Sequence, residues 1–103
     1  MDYRIVSTAG GRTVVECGGR LTFSNSTTFM RVAEELKATG DGHCWVFDLS
    51  GLEFIDSAGL GMLLMARDMA GQQNGRMLLK GATGQVEKAL SLARFDELIP
   101  TEE

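Results

Sequence analysis

Asp56 and Ser57 are the pair in this chain whose residue types and position could do chemistry. Behind them, Leu60, Leu63, Leu64, Met65, Met69 and Ala70 build broad apolar faces, which predicts a helix over residues 57–73. An aspartate directly before such a run is a good N-cap, because its carboxylate accepts from the unpaired N–H groups of the first turn. Ser57 then falls in that turn with its hydroxyl toward solvent. A helix start carries free donors and partial positive charge, so it can hold an anion, and a hydroxyl there is well placed to carry a phosphate. Asp-Ser is also a common helix-start signal, and most such serines only cap. On the pair alone, capping is the better reading.

Other chemistries fit the residues poorly. A serine-hydrolase elbow reads Gly-x-Ser-x-Gly, whereas this chain has Ile55-Asp56-Ser57-Ala58-Gly59, and its one histidine, His43, reads as a loop residue. A P-loop needs Gly-Lys-Ser/Thr, but Gly59-Leu60-Gly61 runs into Met62; small residues packing the helix on a sheet account for both glycines better. Gly81-Ala82-Thr83-Gly84 reads as a turn and a helix cap. A receiver-type acceptor would make Asp48 the nucleophile and Lys80 its charge partner, yet paired acids are missing after the first strand, where Ser7-Thr8-Ala9-Gly10 stand. Cys17 and Cys44 are not spaced as a metal pair, so they read as buried reduced thiols, with no metal and no cofactor.

The elements that must position Ser57 follow from the pattern. Residues 3–7 and 13–17 are β-rich and joined by Ala9-Gly10-Gly11, a hairpin signal. Gly18-Gly19 break the second strand, and residues 20–23 form a short extended piece. Ser24, Asn25 and Ser26 offer caps for a helix whose Phe29, Val32, Ala33 and Leu36 lie on one face. Residues 44–49 are a nearly continuous apolar run, as in a buried central strand, and a loop then leads to Asp56. Residues 77–80 form another short strand. Thr83 caps a third helix with Val86, Ala89, Leu90 and Ala93 inward, and Phe95, Leu98 and Ile99 form a last turn and strand that pack back on the core, before a solvated end at residues 101–103. The expected fold is α/β: a mixed β-sheet with an N-terminal hairpin and right-handed crossover helices. In such sheets sites gather beyond the carboxyl ends of the parallel strands, so Asp48, Lys80 and Ser57 are expected at one edge.

Composition bounds the function. The 103 residues suit one domain that buries about 60–65% of its unfolded surface. No apolar run approaches the ~20 residues of a membrane span, and Met1-Asp2-Tyr3-Arg4 lacks the layout of a signal peptide, so a cytoplasmic location is expected. A net charge of −4 argues against nucleic acid. Between Lys37 and Arg67 there is no Lys or Arg, while Asp41, Asp48, Glu53 and Asp56 lie there, so a protein partner docking on this stretch should bring basic groups.

Asp48-Leu49-Ser50 and Phe54-Ile55-Asp56-Ser57-Ala58-Gly59-Leu60-Gly61, with Gly19-Arg20-Leu21 upstream, resemble a STAS domain, the family of bacterial anti-sigma factor antagonists. The element order fits nearly the whole chain as a single STAS-like domain, and residues 61–68 with Phe23 and Phe29 look closer to the proteobacterial branch associated with phosphatase response regulators. The resemblance implies that Ser57 is phosphorylated by an anti-sigma factor with serine kinase activity and dephosphorylated by a PP2C-type phosphatase. Unphosphorylated, the domain would bind the anti-sigma factor; it would not itself be an enzyme, and would be monomeric alone. The implied partner-binding residues are Thr22, Ser24, Asp48, Ser50, Phe54, Asp56, Ala58, Gly59 and Gly61. Two departures stand out: Thr22 replaces the acid often found after Gly-x-Leu, and the sequence stops soon after Pro100, where many members continue into another helix. A STAS docking subunit of a sensory or lipid-transport assembly, never phosphorylated, is the alternative.

Overall fold

A computed structural model of the chain describes residues 1–8 and 10–102. Strands β1 (Asp2–Thr8) and β2 (Arg12–Leu21) form the antiparallel hairpin, from Asp2 opposite Gly18 to Thr8 opposite Arg12. Of the expected turn, Ala9 lies outside the described residues, as does Glu103 of the expected solvated end. Residues 20–22 are extended, as expected, and Phe23 opens a 3-10 turn, Phe23–Asn25, that leads into α1 (Ser26–Lys37) with Asn25 as N-cap. Then come β3 (Cys44–Ile55), α2 (Ser57–Gln72), β4 (Arg76–Lys80) and α3 (Gly84–Leu92). The sheet runs β1-β2-β3-β4, with β2, β3 and β4 parallel. This is the mixed α/β sheet the sequence predicts. No helix among the described residues is long and apolar enough to cross a membrane.

Sequential parallel strands joined by right-handed crossovers put α1 and α2 on one face of the sheet. There Phe29, Val32 and Leu36 of α1 meet Trp45, Phe47 and Leu49 of β3 and Leu63, Ala66 and Ala70 of α2. The Phe29 and Phe47 rings stack with centroids 5.9 Å apart. Val86 and Leu90 of α3 join the same core, as do Phe95 and Ile99. Leu98 and Ala93 are exposed instead, and the expected last strand is a single parallel bridge between Thr101 and Leu79.

Two departures from the sequence reading decide where Ser57 sits. Gly18 and Gly19 do not end β2, and β3 does not end at Leu49. Both strands continue side by side, Gly18 opposite Gly51 and Leu21 opposite Ile55. The cause is a pair of register shifts, between Glu16 and Gly18 and between Gly19 and Arg20. Each bulge puts an extra β3 residue against its partner. Leu49, Leu52 and Ile55 are therefore all buried although they stand three apart, a spacing that hides the period of two. A Cβ on Gly51 would lie 2.9 Å from the Cys17 carbonyl oxygen, so glycine is what lets the backbones meet here.

The extended strands receive α2 through Gly59. A Cβ there would fall 2.3 Å from the Leu21 carbonyl oxygen and 2.7 Å from Ile55 Cγ1. Gly61 meets nothing within 4 Å, so the packing role expected for both glycines belongs to Gly59 alone. Gly59→Ala should destabilise the fold by about 2–3 kcal/mol through overpacking, and Gly61→Ala should stabilise it by about 0.5–1 kcal/mol through helix propensity. Urea denaturation of both variants checks the pair; equal effects would contradict this packing.

Both cysteines are free thiols, Cys17 buried and Cys44 half-buried. Burial, with a smaller push from the Asp48 charge, raises the Cys17 thiol from 9.0 to about 12. Above pH 9 the unfolded thiol ionises while the folded one stays protonated, so unfolding becomes easier as pH rises toward 12. The loss from this one group approaches on the order of 4 kcal/mol at pH 12, and Cys17→Ala should remove it from the pH profile of the melting temperature. At pH 8, iodoacetamide should modify Cys44 first and Cys17 only after unfolding.

Candidate functional site

Asp56 leaves β3 in extended conformation (φ −106°, ψ −177°) and caps α2: the Gly59 N–H donates to its Oδ1 at 2.8 Å, and the Leu60 N–H to its carbonyl at 3.0 Å. Its second carboxylate oxygen, Oδ2, accepts from the Phe23 N–H at 3.3 Å. The Asp56 N–H donates to the Leu21 carbonyl at 3.3 Å. One residue thus joins the end of β2, the 3-10 turn and the helix start.

Ser57 follows as the first residue of α2 and is exposed, as expected. A helix's first N–H groups have no intrahelical acceptor; Gly59 is served by Asp56, leaving those of Ser57 and Ala58 at the end that faces an anion carried on Ser57. Beside them, Thr22 Oγ1 and Ser24 Oγ lie 2.9 Å apart, and Asn25 Oδ1 accepts from the Thr22 N–H at 3.0 Å and the Thr22 hydroxyl at 3.1 Å. Thr22 here organises its own turn. Phe23, between these residues, is 75% exposed. Its backbone N–H is the one Asp56 Oδ2 accepts from, so a large open aromatic is fixed at the same end of the sheet as Ser57. Its place directly after Thr22 is the signal in the sequence that points to it.

The site lies past the end of β4, whose last residue, Lys80, is in register with Asp48. Ile55 therefore has no β4 residue beside it. The Gln85 side chain takes that place: the Ile55 N–H donates to Gln85 Oε1 and Gln85 Nε2 donates to the Ile55 carbonyl, both at 2.9 Å. The amide of an α3 residue closes the strand edge that carries Asp56. Local periodicity gives no sign of this contact.

The expected partner-binding residues divide into two groups. Thr22, Ser24, Phe54, Asp56, Ala58 and Gly59 gather at this end of the sheet, with Gly59 buried beneath it and Gly61 on the exposed side of α2. Asp48 and Ser50 do not join them. Roughly 20 Å of strand separates Asp48 from Ile55, so the single edge expected for Asp48, Lys80 and Ser57 is two places. Asp48 Oδ1 accepts from the Ser50 N–H at 3.0 Å and abuts Gly81, which bends with φ +76° to clear it. The acidic character of the Ser57 end is correspondingly weaker. Glu53 and Asp56 remain, but Arg20, in register with Phe54, holds its guanidinium 4.4 Å above the Phe54 ring.

His43 stands just before Cys44, at the opposite end of β3 from Ser57. No base from histidine reaches the hydroxyl, and both Asp56 oxygens already accept from backbone. Among the described residues no cluster of His, Cys, Asp and Glu could hold a metal. The arrangement can offer a hydroxyl to an incoming phosphoryl group and stabilise the product anion at a helix start. Asp56→Ala should cost about 1 kcal/mol through the lost cap, and amide exchange at Phe23 and Gly59 should rise together. Faster exchange at Gly59 alone would show that Asp56 does not tie the two segments.

A sequence profile described as Mlab, STAS domain, matches residues 5–100. The STAS-domain containing protein PA14_20770 of Pseudomonas aeruginosa (strain UCBPP-PA14) is 32% identical over 92 residues, 89% of each chain. An anti-sigma factor antagonist from Mycobacterium paratuberculosis superposes with a TM-score of 0.83 at 20% identity, over 97% of this chain and 83% of that one. The Bacillus cell fate determinant SpoIIAA, solved in its phosphorylated form, superposes with a TM-score of 0.71 at 13% identity, over 99% and 92%. The two superpositions establish a common fold. The chain belongs to the STAS-domain family.

Proposed function

We propose that this protein is an anti-sigma factor antagonist: a protein-binding module switched by phosphorylation of Ser57. The observation that carries the reading is the exposed Ser57 hydroxyl on the first turn of α2, beside an open Phe23 that the Asp56 carboxylate holds in place. Unmodified, this end binds an anti-sigma factor with serine kinase activity, with Phe23 as its apolar anchor. The chain acts in the cytoplasm and contributes the acceptor hydroxyl; the kinase brings ATP and the base. A PP2C-type phosphatase reverses the step.

Phosphorylation adds about −1.5 to −2 charges. The N–H groups of Ser57 and Ala58 stabilise them internally, so the domain keeps its fold. At the interface the same group is bulky and strongly hydrated, and it stands next to the Phe23 ring that the partner must desolvate. Release then needs no conformational change. A docking subunit of a sensory or lipid-transport assembly is the second reading, favoured by the same exposed Phe23, which can anchor a partner without any modification.

Mass spectrometry of protein from its native host separates the two: phosphate on Ser57 that a PP2C phosphatase removes supports the switch, and its absence in every growth state supports the docking subunit. Ser57→Ala should shift stability by less than about 0.5 kcal/mol and bind the anti-sigma factor constitutively. Ser57→Asp should bind about tenfold more weakly or worse, a loss of about 1.4 kcal/mol. Calorimetry with the purified anti-sigma factor reads both. Equal affinity of the phosphorylated and unmodified forms would sink the switch.

A further inference from the structure

The face of the sheet away from α1 and α2 carries a second set of ordered residues. Val6, Val14, Val46 and Leu78 stand in register across all four strands. None belongs to the main core, yet Val46 is fully buried. In the row toward the strand starts, Arg12, Cys44 and Arg76 are in register; in the opposite row, Lys80 follows Asp48. The residue reaching into this set is Glu102, whose carboxylate pairs with Arg12 of β2. That hydrogen bond is the main reason its carboxyl is held below the usual range; desolvation opposes it, and the charges of Arg12, Lys80 and Arg76 add to it.

Glu102 arrives there because Pro100–Glu102 lies along the outer edge of β4, the edge strand of the sheet. The Leu79 N–H donates to the Pro100 carbonyl at 3.0 Å, and the Glu102 N–H donates to the Leu79 carbonyl at 2.7 Å. Thr101 sits opposite Leu79 in parallel sense. By strand alternation the next outward-facing residue is Met77. Its carbonyl would accept from the residue at Pro100, which has no N–H to donate. The resident pairing therefore stops after one residue of β4. Among the described residues it is joined to the sheet by two backbone hydrogen bonds and the part-buried Arg12–Glu102 pair, a short local contact that follows the buried Ile99.

We propose that the outer edge of β4 is a strand-addition site for an extended acidic segment of a partner protein, occupied here by the chain's own Pro100–Glu102. Backbone pairing at Leu79 and Met77 supplies the affinity. Arg12, with Arg76 and Lys80 near it, selects a carboxylate one residue beyond the one opposite Leu79. A segment without proline pairs with one more residue of β4 than the resident does, which lets it displace the resident. The site lies on the outer edge of β4, whereas Ser57 follows the end of β3 beyond the last residue of β4, and its occupancy does not depend on phosphorylation.

The probe is a synthetic peptide, Leu-Ile-Ala-Thr-Glu-Glu, titrated into the isotope-labelled full chain and read by NMR. It should perturb the Met77 and Leu79 amides and the Arg12 side chain, and bind Glu102→Pro, which has lost the ion pair and the bond to the Leu79 carbonyl, about tenfold or more tightly than the unaltered chain. Replacing both glutamates of the peptide by glutamine should weaken it by a similar factor. Shifts elsewhere only, equal affinity for the two chains, or indifference to the glutamine change would each overturn the proposal. Hydrogen exchange of the unaltered chain gives a check that needs no variant: the Glu102 amide should exchange at least about a hundredfold faster than that of Val46, and equal rates would mean the resident segment is not displaceable.

Discussion

Asp56 divides its carboxylate between two backbone donors, Gly59 in the first turn of α2 and Phe23 in the turn after β2. Helix starts and tight turns both leave N–H groups without a partner in their own element, and here the carboxylate accepts from one of each. One anionic side chain serves both. The adjoining Ser57 stays exposed as the first residue of the helix.

The support beneath Asp56 comes from extending two strands past their neighbours. β2 and β3 run on after β4 has ended, and extended strands normally leave open edges. Here the gap at Ile55 is closed by the Gln85 amide, which imitates one residue of a strand. Glycine settles the remaining sterics. Gly51 lets β3 meet β2, and Gly59 lets α2 sit on the Leu21 carbonyl. The exposed hydroxyl thus rests on a rigid platform, which suits a switch that works by added charge and bulk.

Charge follows the same division of the molecule. The long stretch without Lys or Arg is acidic when read along the chain, yet folding separates Asp48 from Asp56 and brings Arg20 beside Phe54. Basic groups from two separate parts of the sequence, Arg12 of β2 and Arg76 and Lys80 of β4, meet instead around Glu102 on the far face. Neither grouping can be inferred from net charge.

The sequence by itself determined the helices, the hairpin, the parallel order and the cap at Asp56, because each rests on local signals: apolar residues at helical spacing, glycine at turns, an acid before an apolar run. Phe29, Val32, Ala33 and Leu36 face inward as their spacing requires. The place of Ser57 at the helix start was legible for the same reason, since a cap and the residue after it are neighbours in the chain. Tertiary structure alone decided the length of β3, because its two bulges disguise alternation as a spacing of three. It also decided that Gly59 packs and Gly61 does not, that Asp48 and Ser50 stand apart from Ser57, that Phe23 belongs to the site, and that Gln85 closes the strand edge. Each of these depends on residues distant in sequence approaching within hydrogen-bond or van der Waals range, and local spacing carries no record of that approach.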